Sequence, residues 1–190
     1  MGYKDLFQYV IALLSSPGKA WSKISEKGAG RDILPNFVYP LIGLCGLSEF
    51  VGTLIGKGMS QAVFQIALTR CCAIAVALFG GYFLAAFLLD RLCRKYMENS
   101  PSSPVPMQVF VGYSMVVIFV LTIISGLVSI DLLHWLLQIY TIVVVFEGAR
   151  YWLKVRKEKL TLFTVLATII ILLCPAVIEF VFNELSVILN

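Results

Sequence analysis

The sequence predicts an all-α membrane protein, a bundle of five transmembrane helices preceded by cytoplasmic amphipathic helices. Three observations carry this. Only 14% of the residues are charged while 59% are hydrophobic, whereas a water-soluble domain carries about a quarter of its residues as charge. The apolar residues gather into five runs, each near or above the roughly 20 residues needed to cross a hydrocarbon core of about 30 Å. The basic residues gather between those runs. Spans and short connections use nearly all of the 190 residues, so no separate soluble catalytic domain fits.

Residues 1–30 read as a cytoplasmic amphipathic segment and residues 31–190 as the transmembrane domain. At about 100° per residue, Leu6, Phe7, Val10, Leu13 and Leu14 gather on one side of a helix and Lys4, Asp5 and Gln8 on the other. Such a helix is amphipathic and too short to span. Asp5 and Gln8 interrupt its apolar stretch and no small-residue cleavage site follows, so it reads as part of the mature protein and not as a signal peptide. Ser16-Pro17 then offers an N-cap with proline at the first helical position. Lys19, Lys23 and Lys27 recur at i, i+4 and i+8, with Trp21 and Ile24 turned away. Two readings are open. In one, the helix lies on an anionic leaflet, and Lys19, Trp21, Lys23 and Lys27 contact lipid headgroups or a partner. In the other, it is a solvated basic helix docked on the protein's own cytoplasmic face.

The five spans are placed at 33–55, 62–89, 109–128, 132–152 and 160–182. The second is long enough to tilt or to extend past the bilayer. The very short turn from Gly126 to Asp131 makes the third and fourth an antiparallel hairpin. The proline- and serine-rich stretch from Asn99 to Pro106 separates the first helical pair from the second.

Orientation follows from where lysine and arginine fall. Lys4, Lys19, Lys23, Lys27 and Arg31 precede the first span; Arg91, Arg94 and Lys95 follow the second; Arg150, Lys154, Arg156, Lys157 and Lys159 follow the fourth. With five spans these regions share one side, the cytoplasm, and only Lys57 and Arg70 of the 15 basic residues stand elsewhere. The reading is a multi-pass protein of the cell inner membrane with its N-terminus in the cytoplasm and its C-terminus outside. Orientation also accounts for the net charge of +4, and no basic stripe points to nucleic acid.

Cys45, Cys71, Cys72 and Cys174 sit inside apolar runs and Cys93 at the cytoplasmic end of one. They read as small reduced packing residues, with palmitoylation of Cys93 the lesser alternative. The single histidine, His134, stands beside Trp135 at an outer turn and reads as interfacial. No cysteine–histidine set has metal-ligand spacing, no phosphate-cradling loop or nucleophile motif is present, and neither a cofactor nor an enzymatic activity is expected.

Charges inside spans mark function or pairing. Counting from Lys57 and Ser60 at 1.5 Å per residue, Glu49 and Arg70 lie about 12–15 Å in from the outer end, at matching depth on adjacent antiparallel helices. Cys45, Glu49, Gly52 and Gly56 share a face of the first span; Arg70, Ala77 and Gly81 share one of the second. Small residues there let the helices approach and the charges meet, as a structural ion pair or as part of a transport or binding site. Glu147 is one turn from Arg150 and Tyr151, where an i, i+3 pair or snorkelling satisfies it. Glu179, four residues past Pro175, lies in the outer half of the last span, and a kink at Pro175 frees the Ile171 carbonyl. Gly52 and Gly56 also match the small-xxx-small pattern of helix dimers, which leaves a homo-oligomer open although packing within the chain is the commoner use.

The approach Leu14-Ser15-Ser16-Pro17-Gly18-Lys19-Ala20-Trp21, the five spans with the N-terminus inside, and Gly112-Tyr113-Ser114 opening the third span together resemble the Yip family, polytopic membrane proteins named for interacting with Ypt/Rab GTPases, and in particular its bacterial members. The motif residues are Pro17, Trp21 and Tyr113. In one departure, Val116 and Val117 stand where family members often carry a proline soon after the tyrosine. For eukaryotic relatives the resemblance implies vesicle traffic, membrane shaping and recruitment of small GTPases; for bacterial ones it implies a membrane protein without an assigned role. The expectation is a non-enzymatic scaffold or membrane-organising protein that contacts the bilayer, anionic headgroups or another membrane protein. The alternative is a small transporter or channel using Glu49, Arg70 and Glu179.

Overall fold

A computed structural model describes residues 3–28, 32–96, 105–128 and 138–188. The elements are α1 (Tyr3–Ser15), α2 (Pro17–Lys27), a π-helical turn (Leu34–Val38) running into α3 (Tyr39–Lys57), α4 (Gln61–Tyr96), α5 (Val105–Ser114), α6 (Val116–Leu127), α7 (Thr141–Tyr151) and α8 (Lys157–Ile188). Among the described residues four stretches are long and apolar enough to cross a membrane: Leu34–Lys57, Gln61–Cys93, Val105–Leu127 and Lys157–Leu185. The chain is thus a multi-pass membrane protein. These four answer to the first, second, third and fifth expected spans. Of the remaining one, 132–137 lie outside the described residues, as do His134, Trp135, Arg31 and 97–104, and α7 is its described part.

At 36 residues, α4 is about 54 Å long, well beyond the hydrocarbon core, so it must tilt or project. The third span begins earlier than its apolar run, at Val105, because Pro106 in a first helical turn gives up no bond. Its two pieces meet at Met115, whose φ of −75° and ψ of 0° depart from helical values. The ladder still runs through, with Met115 N–H donating to the Val111 carbonyl at 2.9 Å and Phe119 N–H to the Met115 carbonyl at 3.0 Å. The irregularity falls directly after Tyr113-Ser114 although no proline stands there. Helix α8 runs unbroken through Pro175.

In the bundle α4 lies between α3 and α8, α3 also packs on α6, and α7 packs on α8, α5 and α2. One face expectation needs correcting. Gly52 and Gly81 do not join α3 to α4: a Cβ on Gly52 would lie 1.6 Å from the Gly126 carbonyl oxygen of α6, and one on Gly81 2.6 Å from Pro175 Cα of α8. Gly56 has nothing within 4 Å. The close approach of α3 to α4 is instead at Gly46, where a Cβ would lie 3.1 Å from Cys71 Sγ. Helical periodicity says which residues share a face, not which neighbour that face meets. The N-terminal hairpin is built into this body, since Leu6, Leu13, Trp21 and Ile24 belong to the same buried cluster as Phe110, Tyr113 and Val144.

Candidate functional site

The short apolar face of α2 (Pro17, Ala20, Trp21, Ile24) is buried. Pro17 opens the helix as expected of its fixed φ, but the Ser16 hydroxyl makes no capping bond. Trp21 is 0% exposed, and its Nε1–H donates to the Val144 carbonyl of α7 at 2.9 Å. Gly148 makes the space: a Cβ there would lie 2.7 Å from the indole. The lipid or partner contact expected of Trp21 is therefore corrected, because its indole is spent inside the protein. Its ring stands edge-on to Tyr113 at 5.8 Å, and Tyr113 in turn meets Phe37 at 4.7 Å and Tyr9 at 5.9 Å. Two of the three motif residues thus build one aromatic centre joining α1, α2, the π-helical turn and α5, and Pro17 starts the helix that delivers Trp21 to it. Further ties hold the hairpin and loops: the Tyr140 hydroxyl donates to the Leu14 carbonyl and Trp152 Nε1–H to the Pro106 carbonyl, both at 2.8 Å.

Opposite that face Lys19, Lys23 and Lys27 are exposed. Lys23 and Lys27 line a groove of about 280 Å³ between α1 and α2 together with Asp5 and Tyr9. Of the two ways open to Glu147, the pair with Arg150 is not formed among the described residues. The Arg150 guanidinium lies over the Tyr151 ring at 5.3 Å, and Glu147 Oε2 is buried without a hydrogen-bond partner among the described residues. It sits 3.2 Å from where a Cβ on Gly18 would be. That places a carboxylate beside the first turn of α2, where the helix dipole favours negative charge.

The second grouping lies within the spans. Arg70 Nη1 donates to Glu49 Oε1 at 3.1 Å, with side chains 53% and 20% exposed respectively. Glu49 is held from behind by α6, since a Cβ on Gly126 would lie 2.9 Å from the Glu49 backbone nitrogen. One hydrogen bond adds to this seam, from Cys45 Sγ to the Phe119 carbonyl at 3.3 Å, while Thr53 Oγ1 donates within α3 to the Glu49 carbonyl at 2.8 Å. Glu49 and Glu179 line one interhelical cavity of about 240 Å³, with Thr122 and Ser125 of α6, Gln138 just ahead of α7, and Pro175. Arg70 stays outside it. Thr122, Ser125 and Gln138 were missed by the sequence reading; their signal is uncharged polar side chains in apolar runs, two of them one turn apart on α6. Among the described residues no group of histidine, cysteine, aspartate or glutamate is arranged to hold a metal.

No curated protein and no solved structure matches the chain. The family described as Yip1 domain matches residues 11–178. That stretch holds the proline and tryptophan of α2, the Glu49–Arg70 pair and Tyr113, and stops one residue short of Glu179. By this match, over most of its length, the chain belongs to the Yip1 domain family.

Proposed function

We propose that the protein is a non-enzymatic membrane-organising scaffold that holds anionic lipid headgroups on the lysine face of α2. It crosses the inner membrane five times, with its N-terminus in the cytoplasm and its C-terminus outside. In this reading α7 belongs to the fourth crossing. The observation that supports this reading is the division of α2: Trp21 and Ile24 are locked into the body while Lys19, Lys23 and Lys27 face outward. A basic face on a fixed helix loses little side-chain freedom beyond the lysines themselves when it meets phosphate, and each lysine near an anionic leaflet is worth about 1 kcal/mol.

Removing residues 1–27 would not test this, because it takes Trp21 out of the core. Charge reversal does. Purified protein equilibrated with a mixture of phosphatidylglycerol and phosphatidylcholine is expected to retain phosphatidylglycerol preferentially in native mass spectra, and Lys19→Glu/Lys23→Glu/Lys27→Glu to lose that preference while remaining folded. An unchanged preference would overturn the reading. A reporter active only outside the cytoplasm, fused after Asn190, is expected to be active if the five-span topology holds. A second reading, a transporter or channel, is favoured by the cavity at Glu49 and Glu179.

A further inference from the structure

We propose that the cavity between α3, α4, α6 and α8 binds a small organic cation, an ammonium group carried on a short apolar chain. The lysine face plays no part in this inference. At about 240 Å³ the space exceeds what a bare ion needs, a water molecule's share of liquid volume being about 30 Å³. Its walls are of two kinds. Glu49 and Glu179 bring carboxylates and Thr122, Ser125 and Gln138 bring uncharged polar groups, while Ile74, Leu78 and Leu172 supply apolar surface. A cavity of mixed lining with a few convergent polar groups is the usual form of a small-molecule site.

The charges choose the ligand. Two carboxylates line the cavity and, among the described residues, no lysine or arginine does, so an anion would meet like charge on two sides. Arg70 binds Glu49 at 3.1 Å from outside the cavity. It fixes the direction of that carboxylate without occupying the space. Pro175 and Glu179, four residues apart on α8, both line the cavity, so the proline wall and the second carboxylate lie on one helix face. An ammonium group between the carboxylates, with its alkyl part against the leucines, satisfies both kinds of wall.

The test uses the full chain in nanodiscs of neutral lipid, with n-butylammonium chloride as probe and butan-1-ol, sodium butyrate and sodium chloride as comparators. Butylammonium is expected to raise the unfolding temperature saturably, and the three comparators are not. Calorimetric affinity for butylammonium should fall about tenfold or more in Glu179→Gln, the scale of one charge-assisted bond. It should also vanish in Ala176→Phe, which fills the cavity and leaves both carboxylates in place. If butylammonium gives no saturable shift, the proposal fails. An equal shift from butanol or sodium chloride, or unchanged affinity in both variants, overturns it as well. The comparison of the four probes on the unaltered protein decides the matter even if a variant does not fold.

Discussion

Gly52 of α3 and Gly126 of α6 touch backbone to backbone: a Cβ on Gly52 would lie 1.6 Å from the Gly126 carbonyl oxygen. The same crossing seats Ser48 and Glu49 against α6, since a Cβ on Gly126 would lie 2.7 Å from Ser48 Oγ. No side-chain movement relieves a clash with a carbonyl, so Gly52→Ala must separate the helices. The expected loss is about 1–3 kcal/mol, the usual cost of overpacking, read as a fall of several degrees in the unfolding temperature of the detergent-purified protein. Gly56→Ala, with nothing within 4 Å, should leave that temperature unchanged or raise it slightly. Equal losses at the two glycines would refute the crossing.

Trp21 makes a graded series. Trp21→Phe keeps an aromatic ring but leaves the Val144 carbonyl without its indole donor, a cost of about 1 kcal/mol. Trp21→Ala also empties the space among Phe110, Tyr113 and Gly148, at about 3–5 kcal/mol. Thermal unfolding should rank alanine well below phenylalanine and phenylalanine below the native protein. Lys23→Ala, on the exposed side of the same helix, is expected to change stability by no more than about 0.5 kcal/mol. A loss at Lys23 as large as that at Trp21 would mean the helix is not seated by its apolar face.

These two sites show how far the sequence could be read. Span ends and helix rise are enough to bring Glu49 and Arg70 to one depth, because rise per residue acts on each helix separately. The direction of Trp21 was not readable. An amphipathic helix needs an apolar partner for one face, and an acyl layer and a protein core satisfy that need equally. Gly148, which makes room for the indole, lies far along the chain and carries no mark of its purpose. Gly52 marks a close helix contact without marking its partner helix for the same reason: a face is a local property and its neighbour is not. Thr122, Ser125 and Gln138 carry no legible signal of a cavity, because an uncharged polar side chain in a span often bonds its own backbone, as Thr53 does with Glu49.

Adjacent glycines on α4 should respond in opposite ways. A Cβ on Gly81 would lie 2.6 Å from both Cα and N of Pro175, and the proline backbone inside α8 has nowhere to go. Gly80 faces only the Ile178 side chain, at an ordinary 3.4 Å, and alanine there gains up to about 1 kcal/mol of helix propensity. Unfolding measurements should therefore show Gly81→Ala clearly destabilised and Gly80→Ala neutral or stabilised. Because Pro175 lines the cavity, Gly81→Ala should also weaken butylammonium binding. Identical behaviour of the two variants would show that α4 and α8 do not meet at Pro175.

The two partners of the Arg70–Glu49 bond are unequally exposed, and this makes their replacements unequal. Arg70 is 53% exposed and Glu49 20%, so a guanidinium left alone by Glu49→Gln can turn toward the headgroups on its long stem. A carboxylate left alone by Arg70→Ala has less access to solvent and is left without its charge partner at a desolvation cost. Arg70→Ala should thus lower the yield of folded protein, measured by size-exclusion chromatography after membrane extraction, more than Glu49→Gln does. Reversal of both charges separates pairing from other effects. Glu49→Arg and Arg70→Glu each place like charges 3–4 Å apart, roughly where Coulomb repulsion is strongest in a low-dielectric span, whereas the double variant restores an opposite pair. Folded yield should recover in the double variant relative to either single one, and a double variant as poor as the singles would mean that something other than mutual attraction holds the two residues in place.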